Sequence, residues 1–197
     1  MKTNEDNEII ENIEGRIEMS NNIVLLSGGP RANGNTERLA AAFIQGAESE
    51  GKTVTEFRVS DMTIGGCKGC CHCMAEKGVC VQKDDMPKIL DALRKADAVV
   101  FASPVYYFSV SAQLKLAIDR TFALIEVGTP IKRAALLMTS GDTAAFVTDG
   151  ATALYKNTCD FSKWEDAGFI WAGGLHDPGE IEGRVELEEA LALGKAI

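Results

Sequence analysis

A chain of 197 residues, 46% hydrophobic and 25% charged, has the length and composition of one globular domain with a substantial core. Its net charge of −9 argues against nucleic acid, which requires a basic face, and no apolar run is long enough to cross a bilayer. Six cysteines and an acidic N-terminus with no secretory segment lead us to expect a cytoplasmic, reducing setting. Clustered thiols there bind metal or carry redox chemistry more often than they form disulfides.

Residues 1–22 stand apart as an acidic leader, in which six acids oppose only Lys2 and Arg16. Ile10, Ile13 and Ile17 would line one face of a helix, although Gly15 weakens it. The leader reads either as a solvated tail or as an arm that docks on a partner subunit. The domain proper is expected over residues 23–197.

Ile23 to Leu26 is an unbroken apolar run, which predicts a strand buried on both faces. Leu39, Ala42, Phe43, Gly46 and Ala47 then recur at helical spacing, with Gly51 as a stop. Between them lies Ser27-Gly28-Gly29-Pro30-Arg31-Ala32-Asn33-Gly34-Asn35-Thr36. Free amides and the positive end of a helix dipole meet in such a loop, so a phosphate is its natural guest. Ser27, Asn33, Asn35 and Thr36 offer donors, and Arg31 adds charge. The loop is neither a Walker loop nor a G-x-G-x-x-G fingerprint. An ordinary strand-to-helix turn could use the same glycines and asparagines, but it would not require Arg31 and four donors.

Thr53 to Val59 predicts a second strand, and Glu56 and Arg58 suit it to a sheet edge. A cysteine-rich insert over residues 65–80 follows, holding Cys67, Cys70, Cys71, His72, Cys73 and Cys80. Asp84, with Asp85, is expected to cap a helix carrying Met86, Ile89, Leu90, Leu93 and Ala96. Ala98 to Ala102 predicts a third strand, running into Ser103-Pro104-Val105-Tyr106-Tyr107-Phe108. Ser109 or Ser111 should cap the next helix, and Ala134 to Met138 is a fourth strand ending in Thr139-Ser140-Gly141-Asp142. A helix from about Ala145 to Trp164 would carry Phe146, Val147, Leu154 and Phe161. Phe169 to Ala172 is a fifth strand, and Val185 to Lys195 a closing helix.

Strands alternating with helices imply an α/β domain, an open parallel five-stranded sheet covered on both faces. In the flavodoxin-like order 2-1-3-4-5, the loops after the first, third and fourth strands share the edge where ligands bind. Thr139, Ser140 and Gly141 count as candidates because of that position. Pro104, Val105, Tyr106, Tyr107 and Phe108 offer backbone amides and apolar faces suited to a flat ring. The four thiols of Cys67, Cys70, Cys73 and Cys80 fall within fourteen positions. They suit a four-iron cluster, which needs one thiolate per iron. A structural zinc on the same four or with His72 replacing one, a dithiol switch and bare packed thiols are the other readings. Cys71 is left over, and Cys159 reads as a plain buried residue. His72 and His176 have no evident nucleophile beside them, so a hydrolytic triad is unsupported.

Three of these stretches resemble known, related families. Ser27 with Pro30-Arg31 and Asn33-Gly34-Asn35-Thr36 is similar to the FMN-phosphate loop of the flavodoxin-like NAD(P)H-dependent FMN reductases. Ser103-Pro104-Val105-Tyr106-Tyr107 resembles their flavin loop, and the cysteine spacing resembles that of the iron-sulfur flavoproteins. The resemblance implies FMN on these loops and a 4Fe-4S cluster on Cys67, Cys70, Cys73 and Cys80. It implies an oxidoreductase that takes electrons from NAD(P)H or a ferredoxin-like donor and passes them to a small-molecule or protein acceptor. A homodimer or homotetramer with flavin near a subunit boundary is expected. A cluster-free flavin or quinone reductase, and a non-enzymatic electron carrier or redox sensor, stand as alternatives.

Overall fold

The computed structural model describes residues 21–197, and the isoleucine stripe of the leader lies outside them. The elements in order are β1 (Asn22–Ser27), α1 (Asn35–Ser49), β2 (Thr53–Arg58), α2 (His72–Ala75), α3 (Met86–Leu93) and β3 (Ala98–Pro104). Then come α4 (Ala112–Arg120), β4 (Arg133–Thr139), α5 (Asp149–Ser162), β5 (Glu165–Ala172) and α6 (Val185–Ala196). All four strand pairings are parallel, and the strand order is β2-β1-β3-β4-β5, as expected for the flavodoxin-like class.

The apolar runs are continuous because both faces of the sheet are covered. Val24, Leu26, Val99, Phe101 and Leu136 face a layer that includes Ile89 and Leu93 of α3, Leu114 of α4 and Tyr155 of α5. Ile23, Leu25, Val100 and Leu137 face the opposite layer, with Leu39 and Phe43 of α1 and Ala190 of α6. β2 forms one edge of the sheet, where Glu56 is exposed and Arg58 pairs with Asp61 at 2.9 Å.

The helix expected from Ala145 starts instead as a 3-10 turn, Ala145–Thr148, before α5 begins. Phe146 and Phe161 are exposed, so they do not form its core stripe. The buried face of α5 is Ala151, Tyr155 and Cys159. Tyr155 takes this role because its polar end is satisfied, lying 2.8 Å from the Ala134 carbonyl and 2.7 Å from Asp166 Oδ1. β5 begins four residues before the apolar run that announced it, with a register shift opposite Ala134 and Ala135. Its polar first half, Glu165 and Asp166, explains why periodicity missed it.

Helices α1 and α6 meet backbone to backbone. A Cβ on Gly46 would lie 2.0 Å from the Leu191 carbonyl oxygen, and one on Gly194 would lie 2.1 Å from that of Phe43. In an open helix, Gly to Ala gains about 0.5–1 kcal/mol. Here overpacking, which costs about 1–3 kcal/mol, outweighs it. Gly46→Ala and Gly194→Ala should therefore each lower the urea midpoint of unfolding, and a raised midpoint would show that the two helices sit further apart.

Candidate functional site

β1, β3 and β4 end together, since Ser27 pairs with Ala102 and Pro104 pairs with Thr139. Their loops enclose a cleft of about 200 Å³. The first loop contributes Pro30, Arg31, Gly34, Asn35 and Thr36, the second Pro104, Val105 and Tyr106, and the third Thr139, Ser140 and Gly141. Ser27, Asn33, Tyr107 and Phe108 lie outside this lining. Ser27 is buried at the end of β1, and Asn33 sits in a left-handed turn with its amide donating to Glu37.

The hydroxyls of Thr36 and Thr139 are buried and 2.6 Å apart, which joins the first loop to the third. Among the described residues no side chain caps α1, whose N-cap is Gly34, and Gly34, Asn35 and Thr36 of this helix start line the cleft. The Asn35 side chain is committed elsewhere. Its Nδ2 donates to the Asp177 carbonyl at 2.9 Å, and its Oδ1 accepts from the amides of Gly179 at 3.0 Å and Ile181 at 3.3 Å. Asn35 thus pins the β5–α6 loop against the helix start. Arg31 does the same from the other side, its Nη1 donating to the His176 carbonyl at 2.9 Å.

That β5–α6 loop is a fourth wall which sequence reasoning missed. Leu175 and His176 line the cleft, and the His176 ring lies so close to Gly141 that a Cβ there would come within 2.9 Å of Nδ1. Only Gly fits at position 141 without moving the ring. A lone histidine in a polar loop carries no periodic signal, so only the fold reveals it.

The aromatic loop is a tight reversal. Tyr106 donates its amide to the Ser109 carbonyl at 2.9 Å, and Ser109 donates back at 3.2 Å. Tyr107 and Phe108, the two central residues, have φ of 49° and 67°. Such a turn ordinarily takes Asn-Gly, and bulky aromatics there are strained. Tyr107 is 95% exposed, and its ring centroid is 5.5 Å from that of Phe108, which is 5.6 Å from Phe146. Ser103 holds the base of the loop by accepting the Ser111 amide at 2.8 Å, and Ser111 in turn caps α4.

In the cysteine segment, Cys67, Cys70 and Cys71 are exposed, while Cys73 and Cys80 pack partly against the core. Burial pushes the Cys73 thiol up, and the neighbouring thiols of Cys80, Cys67 and Cys70 add to the shift. Cys71 is not among those neighbours. Its backbone is left-handed, and its thiol points to the Gly69 carbonyl 3.8 Å away. Among the described residues no three or more His, Cys, Asp or Glu side chains stand in a metal-holding arrangement. The donor set nevertheless has the right chemistry for iron, and its Cys80 lies beside Arg120, whose buried Nε has no hydrogen-bond partner among the described residues. Asp84 is not the N-cap of α3, a position that Asp85 takes without a side-chain cap bond. Asp84 accepts from the Met86 amide at 3.2 Å, and it also forms a buried ion pair with Arg120 at 2.7 Å. Burial would push the Asp84 carboxyl up, yet hydrogen bonds from Arg120 and from the Gly65 and Met86 amides hold it below its ordinary value. Cys159 is a buried thiol on α5, pushed up by burial, in keeping with a packing role.

The chain is 43% identical over 93 residues to an iron-sulfur flavoprotein of Archaeoglobus fulgidus, covering 47% of this chain and 42% of that protein. It is 36% identical over 99 residues to one from Methanocaldococcus jannaschii, covering 50% and 51%. The chain thus spans about half the length of the curated relatives it matches. Among solved structures, the NAD(P)H:quinone oxidoreductase from Methanothermobacter marburgensis superposes with a TM-score of 0.72 at 18% identity, covering 88% of this chain and 94% of that one. An FMN-dependent NADH-azoreductase from Bacillus anthracis, solved in complex with FMN, superposes with a TM-score of 0.68 at 15% identity over 89% and 98%. These structures share the fold. The sequence pattern of the NADPH-dependent FMN reductases matches residues 21–158, well over half of the chain, and the protein belongs to that family.

Proposed function

We propose that this protein is an FMN-dependent oxidoreductase which accepts electrons from NAD(P)H or a ferredoxin-like donor and passes them to a small-molecule or protein acceptor. The observation that carries this reading is the cleft at the β1/β3/β4 edge, open to the first turn of α1 and closed by the Thr36–Thr139 contact. FMN bound there supplies hydride and single-electron exchange at its ring, and a 4Fe-4S cluster on Cys67, Cys70, Cys73 and Cys80 supplies single-electron exchange.

The chain's own part is placement. The α1 amides and the Thr36 hydroxyl receive a phosphate, and Arg31 adds charge while tying the His176 loop over it. Pro104 to Tyr106 present backbone and an aromatic face to a ring at the sheet edge. His176 narrows the entrance from the β5–α6 side. The exposed Tyr107, Phe108 and Phe146 rings support a homodimer or homotetramer that covers this edge. The cysteine chemistry is favoured by the company Cys73 keeps and by the names of the relatives.

Removing charge and hydroxyl together from the phosphate loop tests the flavin site. Arg31→Ala/Thr36→Ala should bind FMN at least tenfold more weakly in a fluorescence-quenching titration, because charge-assisted contacts contribute about 1.5–3 kcal/mol each. Unchanged affinity would remove the assignment.

The four thiols should also act as one set. Cys67→Ser, Cys70→Ser, Cys73→Ser and Cys80→Ser should each lower iron and sulfide after anaerobic reconstitution, while Cys71→Ser and Cys159→Ser load as the unaltered protein does. Stoichiometric zinc with no sulfide would point to a structural metal, and no metal at all to a cluster-free reductase.

A further inference from the structure

Arg120 ends α4 almost fully buried, at 2% exposure, where the two ends of the cysteine segment meet. Its Nη1 donates to Asp84 Oδ2 and to the Gly65 carbonyl, each at 2.7 Å, and its Nη2 donates to Asp84 Oδ1 at 3.1 Å. Gly65 precedes Cys67 by two residues, and Asp84 follows Cys80 by four. The Gly65 amide donates to Asp84 Oδ2 at 3.0 Å, and Gln82 Nε2 donates to the Gly66 carbonyl at 3.0 Å. One cation therefore closes the neck of the loop that carries the four thiols.

The clamp leaves one nitrogen of the guanidinium without a partner. Arg120 Nε is buried and has no hydrogen-bond partner among the described residues. Buried donors almost always find an acceptor, and an unpaired one on a charged group is costly. The Cys80 thiol lies within interaction range of this guanidinium. A metal-bound thiolate sulfur is a stronger acceptor than a free thiol, so a cluster on Cys80 would supply the partner that Nε lacks.

We propose that Arg120 is a positioning residue for the cysteine centre, clamping the neck through Asp84 and Gly65 and donating its Nε–H to the Cys80 sulfur when that thiolate ligates iron. This rests on the reading of the four cysteines as cluster ligands. A cationic hydrogen bond to a ligand sulfur favours the reduced, more negative cluster and so raises its reduction potential.

The test compares Arg120→Lys, which keeps the charge but loses the planar fork and its Nε–H, with Asp84→Asn, which loosens the clamp but keeps the arginine. Iron and sulfide are assayed after anaerobic reconstitution, and the potential is then measured by equilibrium titration followed by electron paramagnetic resonance. The potential of Arg120→Lys should fall, while that of Asp84→Asn should stay or rise, because a nearby anion is removed. A clamp that is only structural would move both the same way, and an Arg120→Lys potential equal to that of the unaltered protein would overturn the proposal. Should the variants fail to fold, nitrogen-15 NMR of the unaltered protein answers the same question. Solvent exchange of the Arg120 Nε–H should slow about tenfold or more on cluster loading, and unchanged exchange would overturn the role. Absence of iron and sulfide from the reconstituted unaltered protein would instead overturn the cluster reading, and this inference with it.

Discussion

The structure depends on burying β1, β3 and β4 on both faces at once. A strand with no solvent face cannot carry polar side chains along its length, and parallel neighbours cannot be joined by tight turns. The chain must therefore leave each strand end, cross a face as a helix and return, which drives hydrogen-bonding chemistry to the strand termini. Ser27, Pro104 and Thr139 mark the three places where this happens. The Thr36–Thr139 contact shows how close the displaced polar groups become, since residues 103 positions apart meet at 2.6 Å.

The same constraint makes the Tyr107–Phe108 turn intelligible. Two consecutive aromatic residues at positive φ cost roughly 1–3 kcal/mol each. The surrounding contacts over-determine the turn. The Tyr106 and Ser109 backbones bond to each other, and Gly150 at the start of α5 lies so near that a Cβ would come within 2.4 Å of the Phe108 carbonyl oxygen. Strain of this kind persists where surrounding contacts enforce it and where a ligand or partner gains from the enforced shape. Here it presents two rings beside the cleft rather than folding them into the core.

The strand order and the cleft loops were legible in sequence because each rests on a local signal. Apolar runs marked the buried strands, and glycine with short polar donors marked the turns between them. What was not legible is long-range pairing. Tyr155 escaped notice because its burial requires the Ala134 carbonyl and Asp166, which lie on neighbouring strands. Phe146 and Phe161 looked like core for the opposite reason, since apolar character alone does not say which face of a helix turns inward. Asp84 reads as a cap, but Asp85 holds the N-cap position and Asp84 accepts only the Met86 amide beside it. The main role of Asp84 requires Arg120, which is 36 residues away and gives no local signal. The committed side chain of Asn35 was likewise invisible, because its partners lie in the loop after β5.

Helix α4 ties these long-range pairings together. At its start, Ser111 accepts from Leu114, donates its amide to Ser103, and lies so close to Gly28 that a Cβ there would come within 2.4 Å of its hydroxyl. The loop after β1, the aromatic loop and the helix cap are thus in direct contact. At the other end, Arg120 closes the neck of the cysteine segment. Nine helical residues span about 14 Å, so one short rigid rod sets the spacing between the cleft and the thiols. A loop joining them would allow that spacing to drift, whereas a capped helix whose buried face includes Leu114, Ala117 and Arg120 does not. The cleft and the cysteine segment are thereby held at one separation, and α4 is the described element that touches both.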